Sequence, residues 1–215
     1  SALDTAWSDG VRIKLRQETD YPWNGAVKLT FDAAPERAIA LKLRVPGWLR
    51  EGQASVRVNG RAIEVAPRPG SYAEVKRIWS AGDVVELRLD FAPTLWEANP
   101  LVEETLNQVA LRCGPLVYCL ESNDLPEGVR LTDVALVLGT RTPPTFVAAR
   151  ERIVNSEVVT LSTTATAATP RAWVAGELYR ETGGGPRREI GLKFVPYFAW
   201  GNRGDTEMSV WLPVR

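Results

Sequence analysis

The chain has 215 residues, with 26 Lys and Arg against 26 Asp and Glu, two Cys, eight Trp and no His. Without imidazole there are no Ser-His or Cys-His nucleophile pairs and no His-containing metal site, and two Cys cannot make a four-cysteine zinc site. A formal charge of zero gives no overall basic field to attract nucleic acid or an anionic membrane.

Period-two alternation starts early. Val11, Ile13 and Leu15 alternate with Arg12, Lys14 and Arg16, which predicts a strand with one buried and one wet face. The pattern returns in Leu41, Leu43 and Val45, and again in Val85, Leu87, Leu89 and Phe91. Between Val56/Val58 and Ile63/Val65, Asn59-Gly60 predicts a two-residue hairpin, because both turn positions need positive φ. Pro69-Gly70 and Ala81-Gly82-Asp83 mark further turns. Near residue 100 the pattern changes: Asn99 suits a cap, Pro100 the first helical position, and residues 101–106 a turn or two of helix. Since the first alternating block stops at Phe91-Ala92-Pro93, a boundary near residue 105 is expected, giving domains 1–105 and 106–215.

The second half continues as β structure at 109–120, 134–138, 158–161, 173–179, 190–194 and 208–212, with 162–169 and 182–186 expected as polar loops. Strands this closely spaced, without helical stretches between them, predict an all-β fold of two antiparallel, jelly-roll-like β-sandwich domains packed together. The apolar runs fall far short of the ~20 residues of a membrane span. The first residues show no basic segment leading into an apolar one, so no signal peptide is expected.

Cys113 and Cys119 stand six residues apart. In one extended strand their Cα atoms would lie about 20 Å apart, against the ~7 Å that a disulfide tolerates. If Gly114-Pro115 turns a hairpin, Cys113 faces Leu116 and Cys119 faces Ala110. Neither arrangement joins them, so two free buried thiols are expected, with a lean towards a reducing, cytoplasmic compartment.

Glycoside hydrolysis needs two carboxyl groups on opposite sides of a sugar, ~5 Å or ~6.5–9.5 Å apart. The adjacent pair Glu103-Glu104 does not aim at a common centre, and most acids are solvated surface residues. Aromatic rings offer a second chemistry, since a sugar face stacks on an exposed Trp or Tyr. Trp79 and Trp211 lie in strand contexts and are expected in the core. Trp23, in Tyr21-Pro22-Trp23-Asn24-Gly25, and the segment Tyr197-Phe198-Ala199-Trp200-Gly201-Asn202-Arg203-Gly204 lie beside turn residues. Trp23, Tyr197, Trp200, Asn202 and Arg203 are therefore the candidate carbohydrate or interdomain contacts. Gly183-Gly184-Gly185 lacks the Lys-Ser/Thr of a phosphate loop and is expected to be a plain flexible loop.

The order of motifs carries a resemblance. Leu43-Arg44-Val45-Pro46-Gly47-Trp48, Val56-Arg57-Val58-Asn59-Gly60, Arg77-Ile78-Trp79, Cys113-Gly114-Pro115-Leu116-Val117-Tyr118-Cys119-Leu120-Glu121 and the 195–204 segment with Met208-Ser209-Val210-Trp211-Leu212 together resemble the C-terminal part of glycoside hydrolase family 127, the β-L-arabinofuranosidase family. The resemblance spans about residues 10–213. It implies a bacterial-type parent enzyme with an N-terminal (α/α)₆ barrel followed by two β-sandwich domains. It also implies a cysteine nucleophile held on zinc with other cysteines and a glutamate, all in the barrel. Cys113 and Cys119 match a strand motif instead, with the wrong spacing and no third Cys, so no catalytic or zinc-binding residue transfers. The resemblance therefore implies a non-catalytic chain without its own cofactor. Its partners would be the barrel, carbohydrate or a second copy of itself, and the alternative is an autonomous carbohydrate-binding module.

Overall fold

The computed structural model describes residues 1–6, 10–65, 67–139, 144–153, 155–169, 174–181 and 185–215. It comprises two compact units, Ser1–Ala92 and Pro93–Arg215.

In the first unit the strands are β1 (Ala2–Ala6), β2 (Arg12–Thr19), β3 (Ala26–Ala33), β4 (Ala38–Arg44), β5 (Ala54–Val58), β6 (Arg61–Ala62), β7 (Tyr72–Ile78) and β8 (Val84–Leu89). They form a six-stranded sheet in the order β1-β2-β3-β8-β5-β6 and a separate β4-β7 pair. The alternation explains the layering: Val85, Leu87 and Leu89 of β8 are buried while Glu86 and Arg88 are exposed. One apolar cluster contains Leu29, Phe31, Val85 and Leu87 from the large sheet and Leu43, Ala73 and Val75 from the pair, so the core lies between the two. Trp79 fills it at 2% exposure, as expected. Its ring stacks on Phe31 at 4.6 Å, and its Nε1–H donates to the Ile39 carbonyl at 3.1 Å, which satisfies the one polar atom of the indole.

Asn59 and Gly60 have φ of 50° and 76° and turn the β5–β6 hairpin as expected. The return strand stops after two residues. Ile63 keeps one bond to β5, its N–H donating to the Val56 carbonyl at 3.3 Å; the Val65 N–H then turns back onto the Ile63 carbonyl at 2.9 Å, and both side chains still pack against the core. Gly25 is required by close approach rather than by a turn. Its carbonyl accepts the Leu89 N–H at 2.9 Å, and a Cβ there would lie 1.8 Å from the Leu89 oxygen.

The second unit contains β9 (Pro93–Trp96), β10 (Gln108–Cys113), β11 (Leu116–Glu121), β12 (Val134–Ala135), β13 (Val147–Ile153), β14 (Ser156–Ala168), β15 (Arg187–Pro196), β16 (Met208–Ser209) and β17 (Trp211–Pro213). The order is β12-β14-β15-β11-β10-β17, with β13 beside β14, β16 beside β11 and β9 beside β10. All of these strand pairs are antiparallel. Leu111, Leu120, Leu136, Leu161, Leu192, Phe194 and Leu212 build its core.

Several expectations change. The division falls at residues 92/93 and not near 105, because β9 pairs with β10 from Cys113↔Pro93 to Ala110↔Trp96 and so belongs to the second unit. Asn99 accepts the Leu101 N–H at 3.0 Å but caps no helix: the 3₁₀ turn at Glu103–Thr105 starts after Val102, which makes no side-chain cap bond. Leu101, Val102 and Leu106 are all exposed, so no apolar burial stabilises a longer helix.

Residues 162–168 are not a loop but the second half of β14. Ala165 and Ala167 point into the core while Thr164 and Thr166 face away. The strand alternation is there, with alanine in place of a larger apolar residue. The strand expected at 173–179 fails over its described part. Gly176 at φ 84° and the Glu177 N–H to Val174 carbonyl bond of 2.9 Å make a turn, and Leu178 and Tyr179 are exposed. Trp173 lies outside the described residues, as do Thr182, Gly183 and Gly184 of the expected glycine loop.

Cys113 does face Leu116 in the β10–β11 hairpin. The pairing ends one step later, at Arg112↔Val117, and β11 then pairs with β15. Cys119 is therefore opposite Val195 rather than Ala110. Both thiols are free. Among the described residues no helix is long and apolar enough to cross a membrane.

Candidate functional site

At the end of β15 the chain enters a 3₁₀ turn, Tyr197–Ala199. Ala199 is buried, whereas Tyr197, Phe198 and Trp200 are 46, 58 and 41% exposed. An aromatic run with its one small residue turned inward presents three large rings on one short segment. Gly201 and Gly204, at φ 74° and 101°, let the chain turn away immediately afterwards.

This turn is held from beneath by charge. Glu121, the last residue of β11, is fully buried at 0% exposure and accepts the Gly201 N–H at 2.9 Å. Arg203 reaches the same carboxylate through Nε at 3.1 Å, and Asp124 through Nη1 at 2.9 Å; its Nη2 contacts both acids. Lys193 of β15 bridges Asp124 at 3.0 Å and Glu151 of β13 at 3.1 Å. Thr160 completes the chain by donating to Glu151 at 3.1 Å. Three carboxylates and two cations thus connect β11, β13 and β15 to the segment that carries the aromatics.

The electrostatics agree with the geometry. Burial disfavours the charged form of Asp124, but hydrogen bonds from Arg203 and Lys193 outweigh it and hold its carboxyl below the usual range. The hydrogen bond to Asp124 is the largest of the effects that keep Arg203 charged. Burial opposes the charge on Lys193, and its bonds to Asp124 and Glu151 overcome that.

Of the five sequence candidates, Tyr197 and Trp200 are exposed on one turn. Asn202 and Arg203 work inward: the Asn202 amide donates to the Ala199 carbonyl at 3.1 Å, and Arg203 holds the two acids. Trp23 belongs to the other unit, half-buried in the turn at residues 20–24. Sequence reasoning missed Phe198 as a surface ring, although three aromatics beside two glycines leave little room to bury all of them. It also missed the brace, for which the one local signal is Glu121 closing an otherwise apolar strand.

Thiol chemistry finds no support here. Burial pushes the Cys119 thiol up to about 12, and its Sγ donates to the Val195 carbonyl at 3.7 Å. Burial also raises Cys113. Burial thus disfavours, at both cysteines, the thiolate form that a nucleophile or metal ligand needs. Among the described residues no group of three or more Cys, Asp or Glu side chains is placed to hold a metal ion.

Fold and site together define a two-unit antiparallel β protein whose most organised surface feature is a braced aromatic turn, suited to a sugar ring or a partner protein. The model for the "Beta-L-arabinofuranosidase, GH127 middle domain" matches residues 1–91, and that for the "Glycoside hydrolase family 127 C-terminal domain" matches residues 93–213. The chain belongs to glycoside hydrolase family 127. It is 31% identical over 219 residues to a non-reducing end β-L-arabinofuranosidase of Bifidobacterium longum subsp. longum, covering 92% of this chain and 30% of that protein. A solved structure described as a glycoside hydrolase superposes with a TM-score of 0.88 at 39% identity, over 99% of this chain and 34% of that one. A GH127 β-L-arabinofuranosidase from Geobacillus stearothermophilus T6 gives 0.83 at 34% identity, over 100% and 32%. The chain thus spans about a third of the length of the relatives it matches.

Proposed function

We propose that this chain is the non-catalytic middle and C-terminal portion of a family 127 glycoside hydrolase, and that it supports an N-terminal (α/α)₆ catalytic barrel. The observation that carries this reading is the pair of domain matches, which run side by side along the chain and leave about two-thirds of the relatives' length uncovered. Two free thiols, Cys119 buried and Cys113 half-buried, both raised by burial, are consistent with the same reading. The braced turn with Tyr197, Phe198 and Trp200 serves as a contact with that barrel, at the rim of its active site or in an oligomer interface. Zinc and the catalytic cysteine belong to the barrel.

Purified chain incubated with an aryl β-L-arabinofuranoside, with and without added zinc, is expected to release no aryl alcohol above background. Enzyme-dependent release in either condition overturns the reading. The alternative, autonomous sugar stacking on Tyr197 and Trp200, is separated from it by the Trp200 variant in the titration described next.

A further inference from the structure

The six-stranded sheet of the first unit has an outward face whose side chains are set in rows by the strand register. Glu18 of β2 pairs with Lys28 of β3, Lys28 with Glu86 of β8, and Glu86 with Arg57 of β5, so charges alternate in sign across four strands. The next row places Ala26, Arg88 and Ser55 side by side. The turn at residues 20–24 closes one end and is tied down. The Trp23 N–H donates to the Asp20 carbonyl at 2.8 Å, the Ala26 N–H to Asn24 Oδ1 at 3.0 Å, and Gly25 is pinned against Leu89. Rows and turn together enclose a groove of about 560 Å³, within the ~300–1,000 Å³ of small-molecule sites.

Two features distinguish this groove from an ordinary solvated sheet face. First, its charge is balanced: Lys28, Arg57 and Arg88 stand against Glu18, Asp20 and Glu86. Such a lining does not favour a polyanion, but it offers both donors and acceptors to a hydroxyl-rich ligand. Second, Lys28 lies 3.5 Å from Glu18 and Arg88 reaches Asp90 at 2.7 Å, whereas Arg57 and Glu86, opposite each other in register, make no ion pair with each other among the described residues. Their head groups stay available on a rigid floor. We propose that this groove binds a short neutral oligosaccharide, with Arg57 and Glu86 as its principal hydrogen-bonding side chains. The assignment goes beyond the scaffold role and does not depend on it.

The test is calorimetric and ¹⁵N-NMR titration of the 215-residue chain with short L-arabino-, xylo- and cello-oligosaccharides, with heparin as the polyanionic contrast. At least one neutral oligosaccharide is expected to bind with a millimolar or tighter Kd and to shift amides of β2, β3, β5 and β8. Arg57→Ala and Glu86→Ala should each weaken that binding about tenfold, as for the loss of a charge-assisted hydrogen bond, and Trp200→Ala should leave it unchanged. Both substituted residues are exposed, and matching thermal unfolding curves establish that the variants are folded. The proposal is overturned if no neutral oligosaccharide binds at millimolar concentration, if heparin alone binds, or if binding survives both groove substitutions.

Discussion

Glu121 poses the sharpest energetic question at the level of single residues. Taking a carboxylate fully out of water costs several kcal/mol, and here that cost is offset by Arg203 and the Gly201 N–H. Removing only the cation leaves the acid buried and under-compensated. Arg203→Ala is therefore expected to destabilise the fold by about 3–5 kcal/mol, read from the midpoint of urea unfolding. Acid adds a second signature. Asp124 is held below its ordinary range, so its contribution is fully present above the unfolded value of about 4 and is lost as pH falls through the lower folded value. The variant should lose less stability than the parent chain across that interval, because its Asp124 has already lost its stronger partner. This brace was hidden from sequence reading for a physical reason. Arg203 and Glu121 are 82 positions apart, and neither periodicity nor local turn chemistry reports a contact over that separation. Trp79 and the Asn59-Gly60 turn were legible because strand context and backbone φ are local properties.

Among the elements, the strands that read clearly were those whose inward positions carry Val, Leu or Phe, as in β8. β14 was half-missed because Ala165 and Ala167 occupy inward positions that a hydrophobicity pattern barely registers, although each lies against the core. The link between the 20–24 turn and β8 was invisible for the opposite reason: a glycine followed by a strand signals flexibility, whereas Gly25 is there because nothing larger fits. Gly25→Ala must push the turn away from β8 and break the Leu89 N–H bond. Overpacking of this kind typically costs about 1–3 kcal/mol, and contact with backbone rather than a movable side chain puts this site at the upper end. Thermal unfolding followed by circular dichroism should show the drop, with early loss of protection at the Leu89 amide. Unchanged melting would mean that the turn relaxes freely.

For the whole molecule, the sequence reading found two all-β domains but placed the join near residue 105, beyond a helix signal, rather than where the ladders of the first unit end. Asn99-Pro100 opens the short helix expected before the join near residue 105, yet β9 lies before that signal and is stitched to β10 after it. This yields a direct comparison. A fragment comprising residues 93–215 should unfold cooperatively, whereas 106–215 lacks the β9 ladder and the Leu95 side chain packed on the core. The shorter fragment is expected to melt several degrees lower or to fail to fold, and equal melting temperatures would return the boundary to residue 105.

β14 is an interior strand of the second unit, as β2, β3 and β8 are of the first. At Leu161 and Ser162 it is paired on both edges, with Ala148 and Val147 on one side and Phe194 and Lys193 on the other. At Thr166 and Ala167 it is again paired on both edges, by β12 and β15. Successive N–H groups point to alternate neighbours, so opening one ladder frees only every other amide, and these stretches exchange as a whole only when both ladders open. The segment that reads as a polar loop is thus expected to exchange as slowly as the other interior strands of its unit, measured by hydrogen–deuterium exchange.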